Sequence, residues 1–225
     1  MATHLDLEEQ EQLAELKAFW ARWGNLITGT LTVVLLAFAG WNGWNWWQRE
    51  QAAKASALFD AFDRAVVAGN AEQAGRAFGD LKDRYGRTVY AQQAGLLNAK
   101  LQADKGETAA ATAALQWVSA QGDAQHADLA RLRLAGLQLD AKQYDAALQT
   151  VDAIKAPSFA ALAQDRRGDI LAAQGKADEA AKAWRAAWDA LPTEQNYRRV
   201  VEAKLDRAGV APPLPASAAA SGAQP

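Results

Sequence analysis

The chain has 225 residues, a formal net charge of −2 and no cysteine. These figures allow one fair-sized domain with an appendage, exclude disulfides, thiolate nucleophiles and cysteine-based metal sites, and give no reason to expect a nucleic-acid partner. Abundant alanine and only 6 prolines predict an all-α fold.

Residues 1–22 form an acidic segment, in which Asp6, Glu8, Glu9, Glu11 and Glu15 face only Lys17 and Arg22. From Trp23 to Gln48 there are 26 consecutive residues without a charge, including LITGTLTVVLLAFAGW at 26–41. As a helix, Leu26 to Trp47 spans about 33 Å at ~1.5 Å per residue, enough to cross a hydrocarbon core of ~30 Å. Its apolar residues favour insertion by about 2–5 kcal/mol. Trp20 and Trp23 stand at one end of this stretch, and Trp41, Trp44, Trp46 and Trp47 at the other. An indole has an apolar body and an N–H that needs a partner, so it suits the membrane–water interface. The six tryptophans are therefore expected to mark the two interfaces of a transmembrane helix over 23–48.

Two readings compete with this one. A core helix of a soluble domain can be this apolar, and Ala37-Phe38-Ala39 resembles a signal-peptide cleavage site. The long acidic leader and the continuation of the pattern through the tryptophans favour an uncleaved anchor. Lys17 and Arg22 before the span balance Arg49 and Lys54 after it, so charge leaves the orientation open.

From residue 49 one pattern recurs: a helix, a turn residue, then a second helix with a small residue on its inner face. The turn residues are Gly69, Gly106, Lys142 and Gly175, and five positions after each stands Ala74, Ala111, Ala147 or Ala180. Four residues beyond come Phe78, Leu115, Val151 and Trp184, then after three more Leu81, Val118, Ile154 and Ala187. Small and large residues at these offsets share one face of an amphipathic helix. The alanines are 37, 36 and 33 residues apart, and a period near 34 in a helical chain points to tetratricopeptide repeats. The fourth unit fits that repeat best, through Gly168, Leu171, Gly175, Ala180, Trp184, Ala187 and Pro192. The longer spacing of the first units predicts looser loops there. About four hairpins are expected over 49–209, with TEQNYRRVVEAKLDRAG as a capping helix, Ser158 and Thr193 as N-caps, and a disordered Ala/Pro-rich tail at 210–225.

No set of residues converges on chemistry. His4 and His126 are far apart, and His126 is expected to be solvated. Asp178-Glu179 sit where carboxylates complement a helix dipole. The tripeptide Arg167-Gly168-Asp169 falls inside a helix, the wrong presentation for adhesion. Neither an enzyme nor a cofactor or metal site is expected. Binding would use the concave face made by the first helix of each hairpin. By register that face includes Leu96, Lys100, Leu132, Arg133, Asp165, Arg166 and Asp169, with leucines to pack on and charges to fix direction.

Several stretches together resemble the YfgM family of translocon-associated inner-membrane proteins. They are the acidic N-terminus ending in LKAFWARWGN, the single span closing in aromatics, LRLAGLQLDAKQYDAALQTVDAIK at 132–155 and DRRGDILAAQGKADEAAKAW at 165–184. The resemblance implies a cytoplasmic N-terminus and a periplasmic repeat domain. It also implies an adaptor or chaperone-like role at the SecYEG translocon, beside the membrane-anchored prolyl isomerase/chaperone PpiD, passing translocated clients onward. A scaffold for another envelope process, such as stress signalling or cell division, is the alternative on the same architecture.

Overall fold

A computed structural model describes residues 7–210; the expected tail from 211 onward and His4 lie outside the described residues. The described residues form α1 (Leu7–Val67), α2 (Ala71–Tyr85), α3 (Val89–Asp104), α4 (Thr108–Gln121), α5 (Ala124–Asp140), α6 (Tyr144–Asp152), α7 (Ala160–Ala173), α8 (Ala177–Ala190) and α9 (Arg198–Arg207), with a 3-10 turn at Pro157–Phe159 before α7. The fold is all-helical among the described residues, as expected. The 48/49 boundary read from the sequence falls inside α1, and the chain divides into two compact units between Ala53 and Lys54.

In the first unit α1 is long and apolar enough to cross a membrane, with a window of mean hydropathy 1.5 that is 6 % buried. Two of its polar side chains bond back within the helix. Thr32 Oγ1 donates to the Thr28 carbonyl at 2.8 Å, and Asn42 Nδ2 to the Phe38 carbonyl at 3.0 Å. Such back-bonding removes the cost of carrying an unpaired donor into an apolar medium.

The second unit is a stack of hairpins whose linkers repeat one hydrogen-bond pattern. Gly69, Gly106, Lys142 and Gly175, the four turn residues read from the sequence, all have positive φ (66°, 81°, 58° and 81°). In each linker the amide after that residue bonds back to the carbonyl five positions earlier. The pairs are Asn70 to Ala65, Glu107 to Gln102, Gln143 to Gln138 and Lys176 to Leu171, at 2.8–2.9 Å. This is the Schellman closure, which stops a helix by turning one residue left-handed. The residue after the left-handed one (Asn70, Glu107, Gln143 or Lys176) then serves as N-cap of the next helix, and its carbonyl accepts from Ala74, Ala111, Ala147 or Ala180 at 2.9–3.0 Å. Those four alanines are fully buried. One closure thus ends the first helix and opens the second within a few residues.

Gly209 (φ 73°) with the Val210 amide closes α9 in the same way. The capping helix therefore ends as a first helix of a hairpin does.

Side chains cap the starts of α2, α3 and α5. Asn70 Oδ1 accepts from the Gln73 amide, Thr88 Oγ1 from Ala91, and Asp123 Oδ1 from Gln125 and His126. The two expected caps fail. Ser158 lies within the 3-10 turn that Pro157 opens and that runs directly into α7, so it sits in helical backbone rather than ahead of it. Thr193 Oγ1 donates to Glu194 Oε1 at 2.7 Å, residues after Pro192 make turns, and α9 begins only at Arg198 instead of at Thr193. Looser loops in the first units are also not found. The linkers 86–88 and 122–123 are short, and the extra residues lengthen the helices: α2 and α4 have 15 and 14 residues against 9 in α6, and α3 and α5 have 16 and 17 against 14 in α7.

Burial follows the expected register. One core cluster runs from Phe62 and Ala65 through Phe78, Leu81, Leu115 and Val118 to Leu134, and smaller clusters continue it through Val151 and Ile170 to Ala187, Val201 and Leu205. Each hairpin buries its apolar face only against its neighbours, as in a solenoid.

Candidate functional site

The face read from the sequence is carried by the first helices α3, α5 and α7. Its members differ in what they offer. Leu96 is 5 % exposed and belongs to the core, and Asp165 is 3 % exposed, so neither presents side-chain surface as expected. Leu96 shares a core cluster with residues of its own and neighbouring hairpins, among them Phe78, Leu115 and Leu134, so its register position is interior. Leu132 is half-buried. Lys100 pairs with Asp104 at 2.5 Å on an exposed part of α3. Arg133 is exposed, and its Nη1 donates to the Leu96 carbonyl of α3 at 3.1 Å.

Asp165, Arg166 and Asp169 meet residues that the sequence reading missed. Lys204 of α9 donates to Asp165 Oδ1 and Oδ2 at 2.7 and 2.8 Å and lies 2.7 Å from Asp169 Oδ1. The Tyr197 hydroxyl donates to Asp165 Oδ2 at 2.6 Å, and Trp184 Nε1 donates to Asp169 Oδ1 at 3.1 Å. Burial, with the hydrogen bond to the Asp165 carboxylate, pushes the Tyr197 phenol well above its usual 10.0. This cluster docks the cap helix on the last hairpin. Its partners lie 32 and 39 positions away from Asp165, and no local pattern announces them.

A second buried carboxylate was also missed. Asp128 is 1 % exposed and accepts from the backbone amides of Lys155 and Ala156 at 2.9 and 2.7 Å and from Arg131 Nη1 at 2.5 Å. Desolvation alone would raise its pKa. The two amides and the guanidinium outweigh that and hold it below the usual 3.8. The residue fastens α5 to the linker between α6 and α7.

His126 is not simply solvated. Its Nδ1 lies 2.9 Å from Asp123 Oδ2, the carboxylate that caps α5. That amide cap at His126, offset by partial desolvation and reinforced by the His126 ring, lowers the Asp123 pKa. Asp178 and Glu179 occupy the first turn of α8, as read. Among the described residues no group of three His, Asp or Glu is arranged to hold a metal ion.

On α1, Trp20, Trp23, Trp41, Trp44, Trp46 and Trp47 are all exposed, and the Trp44 and Trp47 rings lie 5.2 Å apart. From Trp23 to Trp44 the helix rises about 31 Å at ~1.5 Å per residue.

The model of a tetratricopeptide repeat-like domain family matches residues 17–210. A Neisseria gonorrhoeae protein named ancillary SecYEG translocon subunit is 31 % identical over 208 residues, covering 92 % of this chain and 99 % of the relative. The chain belongs to the YfgM family. The Escherichia coli protein of the same name is 33 % identical over 183 residues, covering 79 % of this chain and 86 % of that one. The YfgM fold is also seen in MamA from Desulfovibrio magneticus RS-1, residues 41 to the end, at a TM-score of 0.51 and 20 % identity, covering 69 % of this chain and 89 % of the other. A MamA RS-1 double mutant gives 0.52 at 21 % identity, covering 68 % and 84 %. At that identity the likeness to MamA concerns the fold alone.

Proposed function

We propose that this YfgM-family protein is a non-catalytic accessory of the Sec translocon, anchored in the inner membrane by the apolar part of α1. The observation that carries the reading is 31–33 % identity to proteins named ancillary SecYEG translocon subunit over most of the chain. In this reading the N-terminus is cytoplasmic and the hairpin unit periplasmic, with the six tryptophans at the two membrane interfaces. The first-helix face engages partners, with Lys100, Leu132, Arg133, Arg166 and Asp169 as its accessible members. PpiD and translocating clients are the proposed partners at the translocon exit. Anchoring contributes by confining weak partners to one plane, which raises their effective concentration without new contacts.

The test is capture of the full-length protein through a C-terminal tag from gently solubilised membranes, with mass spectrometry of what co-purifies. A form in which residues 1–48 are replaced by a cleavable signal is the control. Recovery of SecYEG and PpiD with the anchored form supports the reading. Recovery of neither overturns it and leaves a membrane-anchored helical-repeat scaffold for another envelope process.

A further inference from the structure

Arg133 on α5 and Arg166 on α7 share a register, nine positions before the turn residues Lys142 and Gly175, and Lys100 on α3 stands six positions before Gly106, one helical turn further along. The alignment is physical as well as numerical. Arg133 on α5 reaches back to the Leu96 carbonyl on α3. The Arg166 guanidinium of α7 lies over α5, 3.8 Å from where a Cβ on Gly136 would stand. Each arginine leans on the first helix of the hairpin before it, so Arg133 and Arg166 follow one another across the stack, with Lys100 on the helix before them.

Neutralisation of these cations is uneven. Lys100 has Asp104, but both side chains are more than half exposed, 65 % and 59 %, and such a pair holds weakly. Arg133 has a neutral carbonyl as its partner. For Arg166 the carboxylate within reach is Asp169 Oδ2 at 3.9 Å, while Asp169 Oδ1 is already held by Lys204 and Trp184. The Arg166 Nε is buried and unpartnered. Two guanidinium forks therefore keep donor capacity that matches a carboxylate in a bidentate way.

We propose that these cations bind an extended acidic segment of a protein partner, with its carboxylates taken by Arg133 and Arg166 and with Lys100 exchanging Asp104 for the ligand. Cations on successive hairpins suit a chain running across the helices, since a compact anion would occupy only one of them. Half-buried Leu132, beside Arg133, gives the segment an apolar contact. The inference rests on the reading of the first-helix face as the partner-binding surface and names the chemistry of what it takes.

The experiment uses the full-length protein in lipid nanodiscs and two fluorescein-labelled ten-residue peptides, one alternating Glu and Ala and one alternating Lys and Ala. Anisotropy is expected to show binding of the Glu peptide, weakened by added salt, and none of the Lys peptide. Arg133→Gln and Arg166→Gln are each expected to weaken binding about fivefold, and the pair more than tenfold. Lys182→Gln, on exposed α8, should leave it unchanged. Circular dichroism checks that each variant is folded, and the single variants carry the test if the double variant melts early. Equal loss in the Lys182 variant, or no loss in the arginine variants, overturns the proposal. Recovery of SecYEG is measured on the same preparations. Retained SecYEG without peptide binding sinks this inference alone, whereas peptide binding without SecYEG sinks the translocon reading alone.

Discussion

The Trp184 indole of α8 occupies the space that a side chain at Gly168 of α7 would need: a Cβ there would lie 2.4 Å from Trp184 Cδ1 and 2.5 Å from Nε1. Glycine is required by the close approach of the two helices, and the indole N–H is aimed at Asp169 in the next position. Gly168→Ala is therefore expected to cost about 1–3 kcal/mol, the range for overpacking a well-filled interior. Urea unfolding of the hairpin unit measures it, and Trp184→Phe in the same background should recover part of the loss. An unchanged midpoint would show that the indole can move aside.

Lys142 is the non-glycine among the positive-φ residues described, at φ 58° in a linker whose counterparts are glycines. A left-handed residue with a Cβ costs about 1–2 kcal/mol, offset in part by the entropy that glycine loses on folding. Lys142→Gly should stabilise the fold by about 0.5–1 kcal/mol, and Gly106→Ala should destabilise it by a similar amount. Thermal midpoints of the two variants should move in opposite directions.

Asp128 holds two backbone amides and Arg131 from a buried position. Asp128→Asn keeps the shape but loses charge-assisted acceptance, for about 2–3 kcal/mol. Because its folded pKa lies below the usual 3.8, the contribution is fully present above that value and is lost as pH falls through the folded pKa. The wild type should lose more stability than the Asn variant when acidified below about pH 4.

Lys204 ties α9 to Asp165 and Asp169. Lys204→Met leaves a buried carboxylate without its cation, and a cost of about 2–4 kcal/mol is expected. The loss should be local. Hydrogen exchange should rise in α9 and at the end of α8 while α3 and α4 stay protected. Uniform loss of protection would mean that the stack unfolds as one unit.

For the anchor, Val34→Arg places a charge at the middle of the apolar stretch, at about 2.5–3.5 kcal/mol on an insertion scale. Resistance of the full-length chain to alkaline extraction from membranes should fall. Replacing Trp46, at one end of the stretch, by Ala should change it little.

Local periodicity fixed what the sequence alone could reveal. The uncharged run that becomes the apolar part of α1 and the alanines five residues after each turn are nearest-neighbour properties. So is the placing of turns at Gly69, Gly106, Lys142 and Gly175. Chain stiffness and hydrogen bonding within a few residues decide them before any packing. What only the tertiary structure decided concerns polar groups in the interior. Whether Asp165 faces a partner or is buried under Lys204 and Tyr197 depends on a helix that arrives 32 to 39 residues later. Asp128 finds its amides 27 and 28 positions away, and Leu96 is a surface or a core residue according to how the neighbouring hairpins pack around it. A buried charge is stable only with its partners in place, and those partners come together only when the stack is complete.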